Sequence, residues 1–292
     1  MAELPPDHII PARSRREVMD WSLVLVSQEI ETTILRTETG WGLSVNGQDY
    51  DKAVAVLQQY VHENRGWKWK LHLPGSDILF HRGAIVWAVA MAGFYYWMME
   101  AYPQLQDAGM MKNNLVAGGQ WWRLFTAITL HENLTHLVAN LGAGFLLFGL
   151  AMSRYGPGVA LLAAFLAGAA GNGFDLLVHS KDSQSLGASG MVMGALGMLS
   201  VHSFSIWRKH PAARRGARRS LAAGFLILVL TGFAPGADIA AHLGGFAAGL
   251  MVGIGLNTVR PASLQQGTPN VLAALALSAL VTLAWRQALA AG

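Results

Sequence analysis

From about residue 80 onward the chain alternates long apolar runs with short polar connections, and each run approaches the ~20 residues that a bilayer-crossing helix needs. The runs are Gly83–Tyr102, His136–Met152, Gly158–Val178, Ala188–Trp207, Ser220–Phe233, Ile239–Leu256 and Val271–Ala290. The fifth is short, and the last carries Arg286. Before residue 80 the pattern is that of a small soluble unit. Trp21–Val26, Thr32–Arg36 and Gly42–Val45 read as strands, Asn46-Gly47 as a turn, and Asp51 as the cap of a helix with Val54, Leu57, Tyr60 and Val61 at helical spacing. Met1–Arg16 is polar, with no apolar core of the kind a signal peptide needs, and is expected to stay on the side of synthesis. The predicted organisation is a small soluble cytoplasmic α/β domain and linker over residues 1–78, a six-span core over 79–257, and a linker with a seventh membrane helix over 258–292.

Composition agrees with a polytopic membrane protein. Charged residues are 13% of the chain, against roughly 25% in globular proteins, hydrophobic residues are 53%, and the mean hydropathy is +0.35. Without cysteine there is no disulfide, no Cys-ligated zinc or iron–sulfur centre, and no thiol nucleophile. The net charge of +4 would suit nucleic acid in a soluble domain. Here, however, Arg208, Lys209, Arg214, Arg215, Arg218 and Arg219 fall in one connection without an acid, a signature of membrane orientation rather than of nucleic-acid binding. The connections 153–157, 208–219 and 257–270 are then inside, and 103–135, 179–187 and 234–238 outside. The first outer connection holds Trp121, Trp122, Leu124, Phe125 and Ile128, a composition suited to an interfacial or partly embedded loop.

Polar groups inside spans are costly and mark candidate sites. His136, Asn140, Ser189 and His242 all lie toward the outer ends of the second, fourth and sixth spans. Ser189, in Gly187-Ala188-Ser189-Gly190, is by itself compatible with simple helix packing. It differs from the soluble-hydrolase G-x-S-x-G because Met191 follows Gly190. Ala241, Gly245, Gly249 and Gly253 recur every four residues beside His242, and Gly190 and Gly194 offer a matching bare stripe. If the stripes pack together, Ser189 and His242 come within hydrogen-bond reach; a buried structural histidine is the plainer alternative. A zinc-protease reading of His131-Glu132 fails, because His136 lies at i+5, turned about 140° away on a helix of 3.6 residues per turn. His136 and Asn140, at i and i+4, share a face and are suitable donors for a developing oxyanion.

The set Trp122-Arg123, His131, His136, Asn140, the Gly187–Gly190 motif and Ala241-His242 resembles the rhomboid family of intramembrane serine proteases, over about residues 82–256. The resemblance implies an all-α polytopic fold with a six-helix rhomboid-like core, to which this chain adds the seventh C-terminal helix and the N-terminal α/β domain. It also implies a catalytic dyad of Ser189 as nucleophile and His242 as general base, with an oxyanion hole of His136, Asn140 and the Ser189 backbone N–H. Trp122, Arg123, His131, Gly187, Gly190 and Gly245 would support the site structurally, and the fifth span would be the mobile wall past which substrate enters. No metal and no cofactor is implied. The implied partners are single-pass transmembrane substrates and the lipid bilayer, in a bacterial inner membrane, with the N-terminus cytoplasmic and the site opening to the extracytoplasmic side. One departure is Met193, at a position that is aromatic in many members and stacks on the catalytic imidazole; a sulfur–aromatic contact is a partial substitute. An inactive rhomboid relative that binds membrane proteins is the alternative from another functional class. A transporter is a third, for which the sequence shows no internal repeat.

Overall fold

The computed structural model describes residues 8–37, 40–64, 80–232, 238–259 and 261–291, arranged in two compact units, Met1–His72 and Leu73–Gly292. The basic segment Arg65–Lys70 and the turn Ala234–Asp238, save Asp238 itself, lie outside the described residues.

In the first unit, β1 (His8–Ala12), α1 (Arg15–Val26), β2 (Thr32–Thr37), β3 (Gly40–Val45) and α2 (Tyr50–Glu63) form an antiparallel sheet of order β1-β3-β2 with two helices. Leu43 of the central strand pairs with Ile10 on one side and Ile34 on the other. Two expectations are corrected here. Trp21–Val26 is helical, because Val18 and Leu25 are buried one helical face apart and the Ser14 hydroxyl accepts the Glu17 N–H at 3.1 Å, an N-cap that starts α1 before the β-prone run begins. The segment before Arg16 also supplies a strand, which buries Ile10 in a small core with Val18, Leu25, Leu43 and Leu57.

The second unit is a helical bundle. Its elements are α3 (Gly83–Ala101), α4 (Gln104–Gly109), β4 (Met111–Lys112), α5 (Asn113–Ala117), α6 (Arg123–Thr126), α7 (Leu134–Tyr155), α8 (Pro157–Val178), β5 (Gln184–Ser185), α9 (Ser189–Lys209), α10 (Arg214–Gly232), α11 (Ile239–Thr258), α12 (Pro261–Leu264) and α13 (Gly267–Ala290). Six of these, α3, α7, α8, α9, α11 and α13, are long and apolar enough to cross a membrane, and the chain is a multi-pass membrane protein. The fifth predicted span differs. It lies within α10, whose first turns carry Arg214, Arg215, Arg218 and Arg219, so this helix is not among the six.

Helix α9 is the axis of the bundle, in contact with α7, α8, α10 and α11. Every residue from Gly190 to Met198 is buried, as expected of a helix that is apolar all round. On the side of α8 and α11 the packing is backbone against backbone. A Cβ on Gly245 would stand 2.4 Å from the Gly190 carbonyl oxygen, one on Gly249 2.2 Å from that of Gly194, and one on Gly171 2.4 Å from that of Ala241. Only hydrogen fits between helices so close, and this small-residue packing gains its energy from dispersion rather than from water release.

The last helix is joined to the bundle at both ends. The Asn270 Oδ1 accepts the N–H groups of Gly158 and Val159 at 2.9 and 3.2 Å, capping α8 from another helix, while its Nδ2 donates to Leu264 and Gln266 carbonyls. Near the other end, Trp285 Nε1 donates to Thr129 Oγ1 at 3.2 Å. Buried amides without such partners would each cost on the order of 1–3 kcal/mol.

Candidate active site

Ser189 is the first residue of α9, and Ala188 before it offers no side-chain cap to the first turn. The N–H groups at this helix start therefore have no intrahelical acceptor, and the positive end of the helix dipole lies at Ser189. The Ser189 side chain is half-buried, neither sealed in the core nor fully exposed. The backbone reaches it through Gly187, whose φ of +133° is a conformation that L side chains rarely adopt. Gly187 also has no room for a side chain: a Cβ there would lie 2.7 Å from the His136 imidazole and 3.7 Å from Asn140 Nδ2. This glycine brings the turn before Ser189 directly onto the His136 and Asn140 face of α7.

Helix α7 begins two residues earlier than its apolar pattern suggests, because the Asn133 Oδ1 accepts the His136 N–H at 2.9 Å. Asn140 is 5% exposed and donates its Nδ2 to the His136 carbonyl at 3.1 Å, so one turn of helix fixes both side chains on a common face.

His242 is 4% exposed, one turn into α11. Asp238 caps this helix, its carboxylate accepting the Ala241 N–H at 2.9 Å. A Cβ on Gly190 would lie 3.6 Å from the Ala241 carbonyl oxygen, and Gly245 contacts Gly190 more closely still. Ser189 and His242 thus each adjoin a residue of the same backbone contact. The His136 ring in turn lies within electrostatic range of His242. The four polar residues singled out in the sequence are gathered at one end of α7, α9 and α11. Met193 is buried one turn below Ser189.

The loop between α3 and α7 folds over this end. Arg123, 6% exposed, donates Nε to Gln120 Oε1 at 2.6 Å and Nη1 to the Asp107 and Met110 carbonyls at 2.9 and 2.7 Å, joining α4 to α6. Burial lowers its guanidinium pKa, against the pull of Asp107, and the Asp107 carboxyl is itself held low by its hydrogen bond to Lys112. Trp122 stacks edge-on to Trp121, with its indole N–H buried and, among the described residues, unpartnered. His131 is 1% exposed, packs edge-to-face on His136 at 5.4 Å, and makes no ring hydrogen bond among the described residues. Burial, with a smaller push from His136, drives its pKa down to about 3, so it packs as a neutral ring.

Short strands fasten the loop to the segment before Ser189: Met111 pairs with Ser185 and Lys112 with Gln184, and the Gly187 N–H donates to the Ala127 carbonyl at 2.9 Å. A polar cluster that the sequence reading did not flag lies alongside. Asp175, fully buried near the end of α8, pairs with His179 and accepts Asn113 Nδ2 at 3.1 Å. Among the described residues, Asp175, His179 and Asp238 have the donor set for a cation, one atom from each within 4.8 Å of the others. The ion pair raises the His179 pKa, and burial raises that of Asp238. An acid inside a span was the available sequence signal for Asp175, and an Asp directly before an apolar helix the signal for Asp238.

The same helices are similar to those of known proteins. The Rhomboid domain model matches residues 118–258, which contain α6 to α11. RHOMBOID-like protein 5 of Arabidopsis thaliana is 31% identical over 156 residues, 52% of this chain and 49% of that protein. Rhomboid protease GluP of Bacillus subtilis (strain 168) is 32% identical over 154 residues, 51% of this chain and 28% of that protein. Rhomboid-like protease 2 of Toxoplasma gondii is 29% identical over 144 residues, 49% of this chain and 50% of that protein. The chain thus spans about half the length, or less, of these curated relatives. The matched segment holds the helices that gather Ser189, His242, His136 and Asn140, and over these residues the chain is similar to the rhomboid family.

Proposed function

We propose that this chain is an intramembrane serine endopeptidase that hydrolyses peptide bonds in or near the transmembrane segments of single-pass membrane proteins. The observation that carries the reading is the contact of Gly190 with Ala241 and Gly245, which brings the helix start at Ser189 and the imidazole of His242 to the same level of the bundle. Similarity to a family that includes proteases supports the reaction class.

In this reading the His242 imidazole takes the proton of the Ser189 hydroxyl as its oxygen attacks the scissile carbonyl carbon. The carbonyl electrons move onto oxygen, and His136, Asn140 and the Ser189 N–H donate hydrogen bonds to the oxyanion. Each such donor is typically worth about 100- to 1000-fold in rate. Collapse breaks the C–N bond, and the imidazolium gives its proton to the departing amine. Water, deprotonated by His242, then attacks the acyl ester, and the second collapse returns the proton to Ser189. The resemblance implies a dyad rather than a triad, and the Asp238 cap on the Ala241 N–H fixes the start of the helix that carries the buried His242. A peptide bond within a helix is shielded by its own hydrogen bonds, so substrates need a locally unwound segment, favoured by small or helix-breaking residues.

The test is cleavage of a single-pass reporter by the full chain in proteoliposomes. Wild type is expected to cut it, with Ser189→Ala and His242→Ala each slowed by roughly 10⁴-fold or more. Stable reporter binding without turnover by wild type would favour a membrane-protein binder and end the protease reading.

A further inference from the structure

At the helix ends opposite Ser189 lies a cavity of about 500 Å³, lined mainly by α7, α9 and α10 and bordered by Asn257, Val259 and Gln265. Its size falls within the roughly 300–1,000 Å³ of small-molecule sites. Ser189, His242, His136 and Asn140 do not line it. The lining is sorted by polarity along all three helices. Leu146 and Leu150 of α7, Leu196 and Leu199 of α9, and Ile227 of α10 form the deeper apolar part. Further toward the helix ends come Arg154, then His202, Lys209 and His210, and, at the start of the oppositely running α10, Ser220. Among the described residues, no carboxylate lines the cavity.

Arg154 is the least satisfied of these groups. Its Nε donates to His202 Nδ1 at 3.1 Å and its guanidinium lies 5.2 Å over the Tyr155 ring, but its Nη1 is buried and has no hydrogen-bond partner among the described residues. A guanidinium keeps its charge under all ordinary conditions, and taking it out of water without a counter-anion is expensive. A planar fork of donors suits one ligand chemistry above others, the oxygens of a phosphate.

We propose that this cavity binds the phosphodiester headgroup of an anionic phospholipid. Arg154 holds the phosphate, Lys209 and His210 stand at the lip, and an acyl chain lies along Leu150, Leu199 and Ile227. A free phosphate or glycerol phosphate shares the headgroup chemistry but leaves the apolar part of the cavity unfilled. The cationic run Arg208–Arg219 borders the site, which places it in the leaflet where anionic lipid is attracted. Because the lipid packs on α10, its binding steadies a helix that packs on the bundle chiefly through α9. The inference does not depend on the protease reading.

The experiment is native mass spectrometry of the full chain in nonionic detergent, titrated separately with phosphatidylglycerol, phosphatidylcholine and glycerol 3-phosphate. Phosphatidylglycerol is expected to be retained at concentrations roughly 10-fold below those needed for phosphatidylcholine, and Arg154→Gln to weaken it roughly 10-fold or more, as expected for loss of a charged hydrogen-bond donor. The double variant Lys209→Gln/His210→Gln, at the open lip where folding is not at stake, should lose a smaller part. Ser203→Trp, which fills the cavity, should exclude the lipid without removing a charge. Equal retention of the two lipids would overturn the proposal. So would glycerol 3-phosphate binding as tightly as phosphatidylglycerol, or phosphatidylglycerol retention unchanged in the lip and cavity-filling variants.

Discussion

Helix α9 has two sides built in opposite ways. Toward α8 and α11 its backbone is met by glycines: a Cβ on Gly168, Gly245, Gly249 or Gly253 would stand 2.2–2.9 Å from an α9 backbone atom. Toward α10 it presents side chains: a Cβ on Gly224 of α10 would meet the flexible end of Leu196 at 3.2 Å and Ser200 Oγ at 3.8 Å, and a cavity opens between the helices. Phe225, Leu226 and Leu230 of α10 face outward, and α10 touches α11 only slightly. Backbone contact has no rotamers and so fixes the relative height of two helices closely, as a nucleophile and its base require. Side-chain contact tolerates sliding. The difference assigns rigidity to the side that carries Ser189 and His242, and freedom to the side that a substrate would have to pass.

The comparison can be tested from the rigid side outward. Beyond the dyad itself, the largest effect is expected from His136→Ala and Asn140→Ala, each lowering kcat about 100- to 1000-fold, or roughly 2.7–4 kcal/mol, with KM little changed. Steady-state kinetics on the reporter separates the two terms, and a loss confined to KM would remove these side chains from the oxyanion hole. Gly245→Val comes next. Its side chain meets the Gly190 carbonyl, which belongs to the backbone and cannot rotate away, so destabilisation of about 1–3 kcal/mol or more is expected. Thermal unfolding in detergent measures it; a midpoint equal to that of wild type would mean that the two helices can slide.

A smaller effect belongs to His131, in the loop over the rigid side. Its pKa falls from the ordinary 6.5 to about 3 on folding, so between those values the unfolded chain binds a proton that the folded chain does not. Stability contributed by the neutral ring is complete above about pH 6.5 and is lost as pH falls, by at most about 1.4 kcal/mol per pH unit. Unfolding midpoints recorded between about pH 4 and 7 should show that slope in wild type and a flatter one in His131→Phe. The smallest effect is expected on the loose side. Gly224→Ala should be nearly neutral in stability, since a shift of Leu196 by a few tenths of an ångström is offset by the better helix propensity of alanine. A loss as large as that of Gly245→Val would erase the distinction.

Much of the rigid side was legible in the sequence because it is written in local periodicity. The four-residue recurrence of Ala241, Gly245 and Gly249, matched by Gly190 and Gly194, is the interface that forms. Features that depend on distant partners were not legible. Asn270 caps α8 from 112 residues away, and Arg154 meets His202 across 48, so no window along the chain contains both members. Asp238 was read only as part of a turn, although it caps the helix of His242. In the first unit the error was local: Trp21–Val26 is β-prone by composition, but Val18 and the Ser14 cap upstream had already started a helix.

The central claim is that Ser189 is a nucleophile activated by His242. Labelling of the full chain with a fluorophosphonate probe, followed by peptide mapping, tests it most directly. The account predicts a single adduct on Ser189, absent in Ser189→Ala and strongly slowed in His242→Ala. A label that persists in Ser189→Ala, or forms at the wild-type rate on Ser189 in His242→Ala, would contradict it.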